Sequence, residues 1–364
     1  MATIPVMRPK LPAAGRLAPY LDKIDRAQIY SNFGPLAQAL EERLAAHYGV
    51  VDGTVCTVAN ATLGLTLALA EQGAAPGTLC AMPAWTFIAS AHAATMAGLV
   101  PYFVDVDPET WALEPDQMDE VISRAPGPVG AVMPVVPFGQ PIDVAGWDRF
   151  HARTKLPVVI DAAAAFDSIA PGNVPAVVSL HATKVFGTGE GGFVMSTDAA
   201  LKRRIRARTN FGFDGTREAM VPAANAKLSE YHAAVGLAAL DEWEETRREW
   251  IAAAQMYHKL LPASNRIRYQ PGFGTSWIAA TCVLDLTGSG ADRTEAALER
   301  AGIESRRWWG HGAHTHRATA TAPRASLPAT ELLARSTLGV PFYRGLQATQ
   351  MQAIAEIVLT ASSD

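Results

Sequence analysis

Ser179-Leu180-His181-Ala182-Thr183-Lys184-Val185-Phe186-Gly187-Thr188-Gly189-Glu190-Gly191-Gly192 joins one short apolar run, residues 176–179, to another, residues 192–196. A glycine-rich turn between two such runs is a place where a sheet edge exposes a side chain. Moving towards the N-terminus, Val158-Val159-Ile160 is too short for a helix and ends in Asp161. Continuous Val/Ile runs of this kind are the pattern of strands buried on both faces. Further out, runs at 54–58, 78–82, 101–106 and 129–137 read as extended, and stretches at 63–70, 87–96, 115–124, 144–153 and 199–208 as helical. The alternation is that of βα units building a mostly parallel sheet. The first helix is expected at Gly34-Pro35, where Leu36, Leu40 and Leu44 recur at helical spacing before Gly49. Beyond the sheet, residues 234–261 read as one long helical stretch, followed by strands within 266–286 and a helix at 294–301. This predicts an α/β fold, with a large domain and N-terminal arm over 1–245 and a small C-terminal α/β domain over 246–364.

With 364 residues, 49% hydrophobic and 18% charged, the chain can bury a large core. Its net charge of −4 offers no basic surface for a phosphate backbone, which argues against nucleic acid as a partner. Cys56, Cys80 and Cys282 are widely spaced within apolar runs and are expected to be buried thiols in a reducing cytoplasm. Residues 1–16 lack an apolar signal core, and no run of about 18 apolar residues occurs, so secretion and membrane insertion are not expected.

Four elements carry chemistry. A strand-end lysine such as Lys184 attacks an aldehyde only as the neutral amine, which burial or nearby cations would favour; alone, it also reads as a solvated surface residue. Asp161 offers a carboxylate that would keep a pyridinium nitrogen protonated, or it merely caps a turn. Asn60-Ala61-Thr62 stands where a helix start would present N–H groups and a hydroxyl to a phosphate, or serves only as an N-cap. In Pro83-Ala84-Trp85-Thr86-Phe87, aromatics follow a strand where open α/β folds bind ligands, although aromatics are also core residues. No metal site is expected, since His311, His314 and His316 have no Cys or carboxylate to complete one.

Taken together and in this order, the elements resemble the sugar nucleotide aminotransferase family of fold-type I, aspartate aminotransferase-like, pyridoxal-phosphate (PLP) enzymes. The segment 179–184 with 189–192 is similar almost residue for residue to the lysine motif of that family. The resemblance implies a seven-stranded, mostly parallel sheet and PLP held on Lys184 as a Schiff base. It implies Asp161 at the ring nitrogen, Phe87 stacked on the ring, and Ala61, Thr62 and Ser179 around the phosphate, with Asn60 beside them. Asn225-Ala226-Lys227-Leu228-Ser229-Glu230 is similar to the family's Asn-x-Arg-Met-Ser-Glu segment, which implies a homodimer with Asn225 reaching the neighbouring subunit's cofactor. Arg306-Arg307-Trp308-Trp309-Gly310 with His314 and His316 resembles members acting on dTDP-linked deoxy-keto sugars. Trp308, Trp309 and His314, with Trp85 and Asn32, are therefore the candidate substrate contacts.

Two positions depart from the family. Ala164 stands where a Gln usually lies near the cofactor's phenolic oxygen, and Ala61 where a Gly is commonest. The implied reaction is transfer of an amino group from L-glutamate to a keto sugar nucleotide, at C4 of a dTDP-4-keto-6-deoxyhexose, for a cell-surface glycan such as an O-antigen or for a natural product. The alternatives are C3 amination, a non-nucleotide ketone such as a cyclitol, and a non-catalytic PLP-binding regulator. Lys184 argues against a sugar 3-dehydratase, and the lack of an early G-x-G-x-x-G against a nicotinamide oxidoreductase.

Overall fold

The computed structural model describes residues 4–51, 53–288 and 290–363, so the outer ends of both expected domains lie outside the described residues. Seven strands build the main sheet: β1 (Val55–Val58), β2 (Leu79–Pro83), β3 (Val100–Val104), β4 (Val129–Val132), β5 (Ile160–Asp161), β6 (Ala176–Ser179) and β7 (Gly192–Met195). Parallel bridges Val132↔Val158 and Val135↔Asp161 join the β3-β2-β4 group to the β5-β6-β7-β1 group. The resulting order is β3-β2-β4-β5-β6-β7-β1, with only β7 antiparallel to its neighbours. The mostly parallel seven-stranded sheet is thus borne out. Successive residues feed opposite cores, Val178 with Phe193 on one face and Val177 with Val194 on the other, which is why these strands read as unbroken apolar runs.

Helices α1 (Ala14–Ala27), α2 (Pro35–His47), α3 (Ala61–Glu71), α4 (Ile88–Met96), α5 (Met118–Ser123), α6 (Val144–Thr154), α7 (Ala199–Thr209), α8 (Glu230–Asp241) and α9 (Trp243–Leu260) flank or follow the sheet. Beyond α9, β8 (Ile267–Tyr269), β9 (Cys282–Leu286), α10 (Gly290–Arg300), α11 (Pro328–Ser336), β10 (Thr337–Val340) and α12 (Ala348–Ser363) form a second unit of structure around an antiparallel β10-β9-β8 sheet.

Two expectations need correction. The first helix is α1, not the one at Gly34-Pro35; its apolar stripe of Leu17, Tyr20, Leu21 and Ile24 runs past Pro19, a residue that reads as a helix breaker. The stretch 234–261 is two helices, not one, and the break at Glu242 has no Gly or Pro to announce it.

Glu230 fixes the start of α2. Its carboxylate is 1% exposed and accepts the N–H groups of Leu36 at 2.8 Å and Ala37 at 2.9 Å. A Cβ at Gly34 would stand 2.6 Å from that carboxyl carbon, so glycine is needed for the approach. Glu230→Ala would leave two buried donors unpaired at a helix N-terminus and is expected to cost about 3 kcal/mol, read as a lowered urea midpoint.

The outer edge of β3 is not left open. The Phe103 N–H donates to the Pro323 carbonyl at 3.0 Å, and the Ala325 N–H to the Phe103 carbonyl at 2.9 Å. The three cysteines are free and buried as expected, and burial pushes the Cys56 and Cys80 thiols up to about 12. Among the described residues no helix is long and apolar enough to cross a membrane.

Candidate active site

Strand direction gathers the candidate residues. β1, β2, β4, β5 and β6 all run the same way, so the residues at and just after their ends meet at the carboxyl edge of the sheet. Val58, Gly192 and Ser179 sit side by side across β1, β7 and β6, and α3 begins just beyond. The Asn60 side chain caps α3 by accepting the Leu63 N–H at 2.9 Å. The N–H groups of Ala61 and Thr62 are left without a protein acceptor among the described residues. A Cβ at Gly192 would lie 3.0 Å from the Ala61 nitrogen and 2.9 Å from the Val178 carbonyl oxygen; only glycine lets the turn close in over the strands. Ser179 is buried, its Oγ accepting the His181 N–H at 3.2 Å while its own hydrogen remains available. The Ala59 N–H donates to the Ala226 carbonyl at 2.7 Å, which ties the segment carrying the exposed Asn225 to this turn.

Asp161, at the end of β5, is 6% exposed. Ser90 Oγ donates to its Oδ2 at 2.7 Å and the Ala163 N–H to its Oδ1 at 3.1 Å, while Thr86 Oγ1 lies 2.8 Å from Ser90 Oγ. Burial raises the carboxyl's pKa above the usual range, opposed by these hydrogen bonds and by the charge of Lys184. Lys184 lies in the β6–β7 turn, held by its own N–H to the His181 carbonyl at 2.9 Å. Two residues on, Phe186 stacks on Phe166 with centroids 4.1 Å apart, which locks the lysine turn to the loop after Asp161. Burial lowers the Lys184 pKa and the Asp161 charge opposes it, and the amine has no hydrogen bond or ion pair among the described residues. Phe87, at the start of α4, leaves 59% of its surface uncovered. Ala164 is half-buried beside Gly139 and has only a methyl group to offer.

These groups fit PLP. Free helix N–H groups and hydroxyls suit a phosphate, a buried carboxylate suits a protonated ring nitrogen, an uncovered aromatic face suits the ring, and a lysine amine of lowered pKa suits the aldehyde carbon.

The candidate substrate residues are not all brought together. Trp85 is buried and meets Trp309 edge-on at 5.3 Å, while Trp309 stacks on Phe138 at 3.9 Å. Next to them the Ala313 N–H donates to the Ala84 carbonyl at 2.8 Å, and His314 is 7% exposed with its ring 6.2 Å from Phe103. Trp308 faces elsewhere: a Cβ at Gly339 would stand 2.1 Å from its Nε1, and the Arg306 guanidinium lies 4.8 Å from its ring, so it packs against β10. Asn32 is exposed with φ 62, ahead of α2. Ser90 and Phe138 were not anticipated. Ser90 lies one helical turn beyond Phe87, and that spacing is the only signal that could have flagged it.

The sequence profile of the DegT/DnrJ/EryC1/StrS aminotransferase family matches residues 14–359. The dTDP-4-amino-4,6-dideoxy-D-glucose transaminase of Shigella dysenteriae is 32% identical over 262 residues, 70% of this chain and 70% of that protein. The GDP-perosamine synthase of Caulobacter vibrioides is 29% identical over 81% of this chain and 84% of its own length. The crystal structure of DesI in the presence of its TDP-sugar product superposes with a TM-score of 0.89 at 30% identity, covering 99% of this chain and 93% of that one.

Proposed function

Because this chain belongs to the DegT/DnrJ/EryC1/StrS aminotransferase family and is a PLP-dependent sugar nucleotide aminotransferase, we propose that it transfers an amino group from L-glutamate to C4 of a dTDP-linked 4-keto-6-deoxyhexose. The observation that carries this reading is the placement of Lys184 and Asp161, each sensing the other's charge, at the carboxyl edge where the aromatic group Trp85, Trp309 and Phe138 also lies. The similarity to a dTDP-sugar transaminase and to a protein crystallised with its TDP-sugar product supports the choice of nucleotide.

PLP, when bound, supplies the electron sink that lets the Cα–H bond of the amino donor break. Lys184 would hold the cofactor through its amine and, once freed, that amine would be placed to take up the proton at the amino donor's Cα. With the keto sugar it moves a proton in the opposite sense and delivers it to C4. Asp161, steadied by Ser90 and Ala163, holds the proton on the ring nitrogen. Phe87 covers one ring face, and the N–H groups of Ala61 and Thr62 with the hydroxyls of Thr62 and Ser179 hold the phosphate. Asn225 adds its amide to the phosphate of a second copy of the chain. That role is supported by the exposed Phe211 and Met220, 49% and 65% uncovered on the same segment, which a homodimer would bury.

The test is amination, with glutamate as donor, of dTDP-4-keto-6-deoxyglucose against its 3-keto isomer and a GDP-linked 4-keto-6-deoxyhexose, the products identified by NMR. A 4-amino dTDP-sugar as the main product is expected. Preference for the 3-keto isomer or for the GDP-sugar would overturn the substrate reading.

A further inference from the structure

A carboxyl group buried beside apolar strands tends to keep its proton, and a protonated Asp161 would meet a ring nitrogen as a neutral acid. Burial does raise the Asp161 pKa; the Ser90 hydroxyl opposes that most, followed by the Ala163 N–H and by Lys184, the charged group that faces the carboxyl. Ser90 is 0% exposed and Thr86 1%, so neither hydroxyl has bulk water to serve it.

Both hydroxyls forgo the bonds that such residues usually make at a helix start. Thr86 stands one position before the N-cap of α4, which Phe87 occupies without a side-chain cap. Ser90, four residues on, does not turn its hydrogen back to the Thr86 carbonyl. Instead Ser90 Oγ donates to Asp161 Oδ2 at 2.7 Å, and Thr86 Oγ1 lies 2.8 Å from Ser90 Oγ. An ionised carboxylate only accepts and a serine hydroxyl has one hydrogen, so that hydrogen is committed to Asp161. Thr86 is therefore the donor to Ser90. The chain runs one way, from Thr86 through Ser90 to the carboxylate, and each link polarises the next where water is excluded. Asp161 Oδ1 takes only the Ala163 N–H, at 3.1 Å, which leaves lone pairs for a further donor.

We propose that Thr86 and Ser90 are positioning residues for the cofactor: Ser90 keeps the Asp161 carboxylate ionised inside the protein, and Thr86 acts through Ser90. The inference rests on the assignment of Asp161 to the ring nitrogen made above. The turn that offers Phe87 to one face of the ring thus also sets the charge at its edge.

The experiment titrates Asp161 by NMR in the cofactor-free full chain, with aspartate isotope-labelled at the carboxyl carbon and the signal identified by its loss in Asp161→Asn. Ser90→Ala is expected to move the midpoint up by about one pH unit or more, the worth of one hydrogen bond to a charged group. Thr86→Val is expected to move it the same way by about 0.2 to 0.4 of a unit, and Thr86→Ser, which keeps the hydroxyl, to leave it in place. An unmoved midpoint in Ser90→Ala, whatever happens to stability, would mean a packing role and overturn the proposal. An unmoved midpoint in Thr86→Val alone would overturn the part given to Thr86. The premise is separated with 4-deoxypyridoxine 5′-phosphate, an analogue without the aldehyde, labelled at the ring nitrogen and bound to the same proteins. Its nitrogen signal is expected to show a protonated ring in the wild type and an unprotonated one in Asp161→Asn. If the ring is protonated equally in both, the Asp161 assignment falls and the inference with it. If the ring loses its proton in Asp161→Asn while Ser90→Ala leaves the Asp161 midpoint in place, the assignment stands and the chain falls.

Discussion

Lys184→Ala is expected to lower transamination by about four orders of magnitude or more, and with it to remove the visible absorbance that comes from covalent attachment of the cofactor. A positioned acid–base group alone contributes up to about 10⁴-fold, and Lys184 is here both the covalent anchor and the proton carrier. Lys184→Arg should fail as badly, because a guanidinium stays charged and cannot act as a neutral amine. The loss should appear in each half-reaction separately, since both need the same proton moved. Glutamate added to wild-type enzyme should bleach the visible band, and in the alanine variant there should be no such band to bleach. An alanine variant that retains the band would overturn the assignment of Lys184.

Asp161→Asn is expected to reduce kcat by about 10²–10³-fold, the scale of losing one preorganised electrostatic partner in a water-poor site. It also has a signed effect on its neighbour. The Asp161 charge raises the Lys184 pKa against the lowering by burial, so removing it makes the amine deprotonate at lower pH. Reductive methylation of the cofactor-free protein, followed residue by residue by mass spectrometry, should show the Lys184 rate midpoint below that of surface lysines. In Asp161→Asn the midpoint should move further to acid. A midpoint that stays put or moves to higher pH would show that the two groups do not sense each other.

What could be read in advance was what depends on neighbours along the chain. Asp161, Ser179 and Asn60-Ala61-Thr62 lie at strand ends, and a parallel sheet sends all such ends to one edge, so their meeting followed from the alternation of runs. Pairings made across space left no such trace. Ser90 reaches Asp161 over 71 positions, and Phe186 finds Phe166 only because β5 and β6 are adjacent. The two adjacent tryptophans show the limit most clearly. Trp309 turns to Phe138 and Trp85 while Trp308 turns to Gly339, and nothing in the dipeptide separates them. α1 is hidden by Pro19 inside it, although Leu17, Tyr20, Leu21 and Ile24 form an apolar stripe and the helix packs on α8.

The segment 323–325 laid along β3 bears on solubility as well as architecture. An edge strand as apolar as Val100–Val104 would template the addition of a strand from another molecule, the first step towards aggregates. Here that vacancy is filled by the chain's own later residues, some 220 positions downstream of Phe103. During synthesis β3 emerges long before its cover does. The nascent sheet thus passes through an interval of exposed edge that ends only when the C-terminal third arrives, which makes a chaperone's protection most valuable for this part of the molecule.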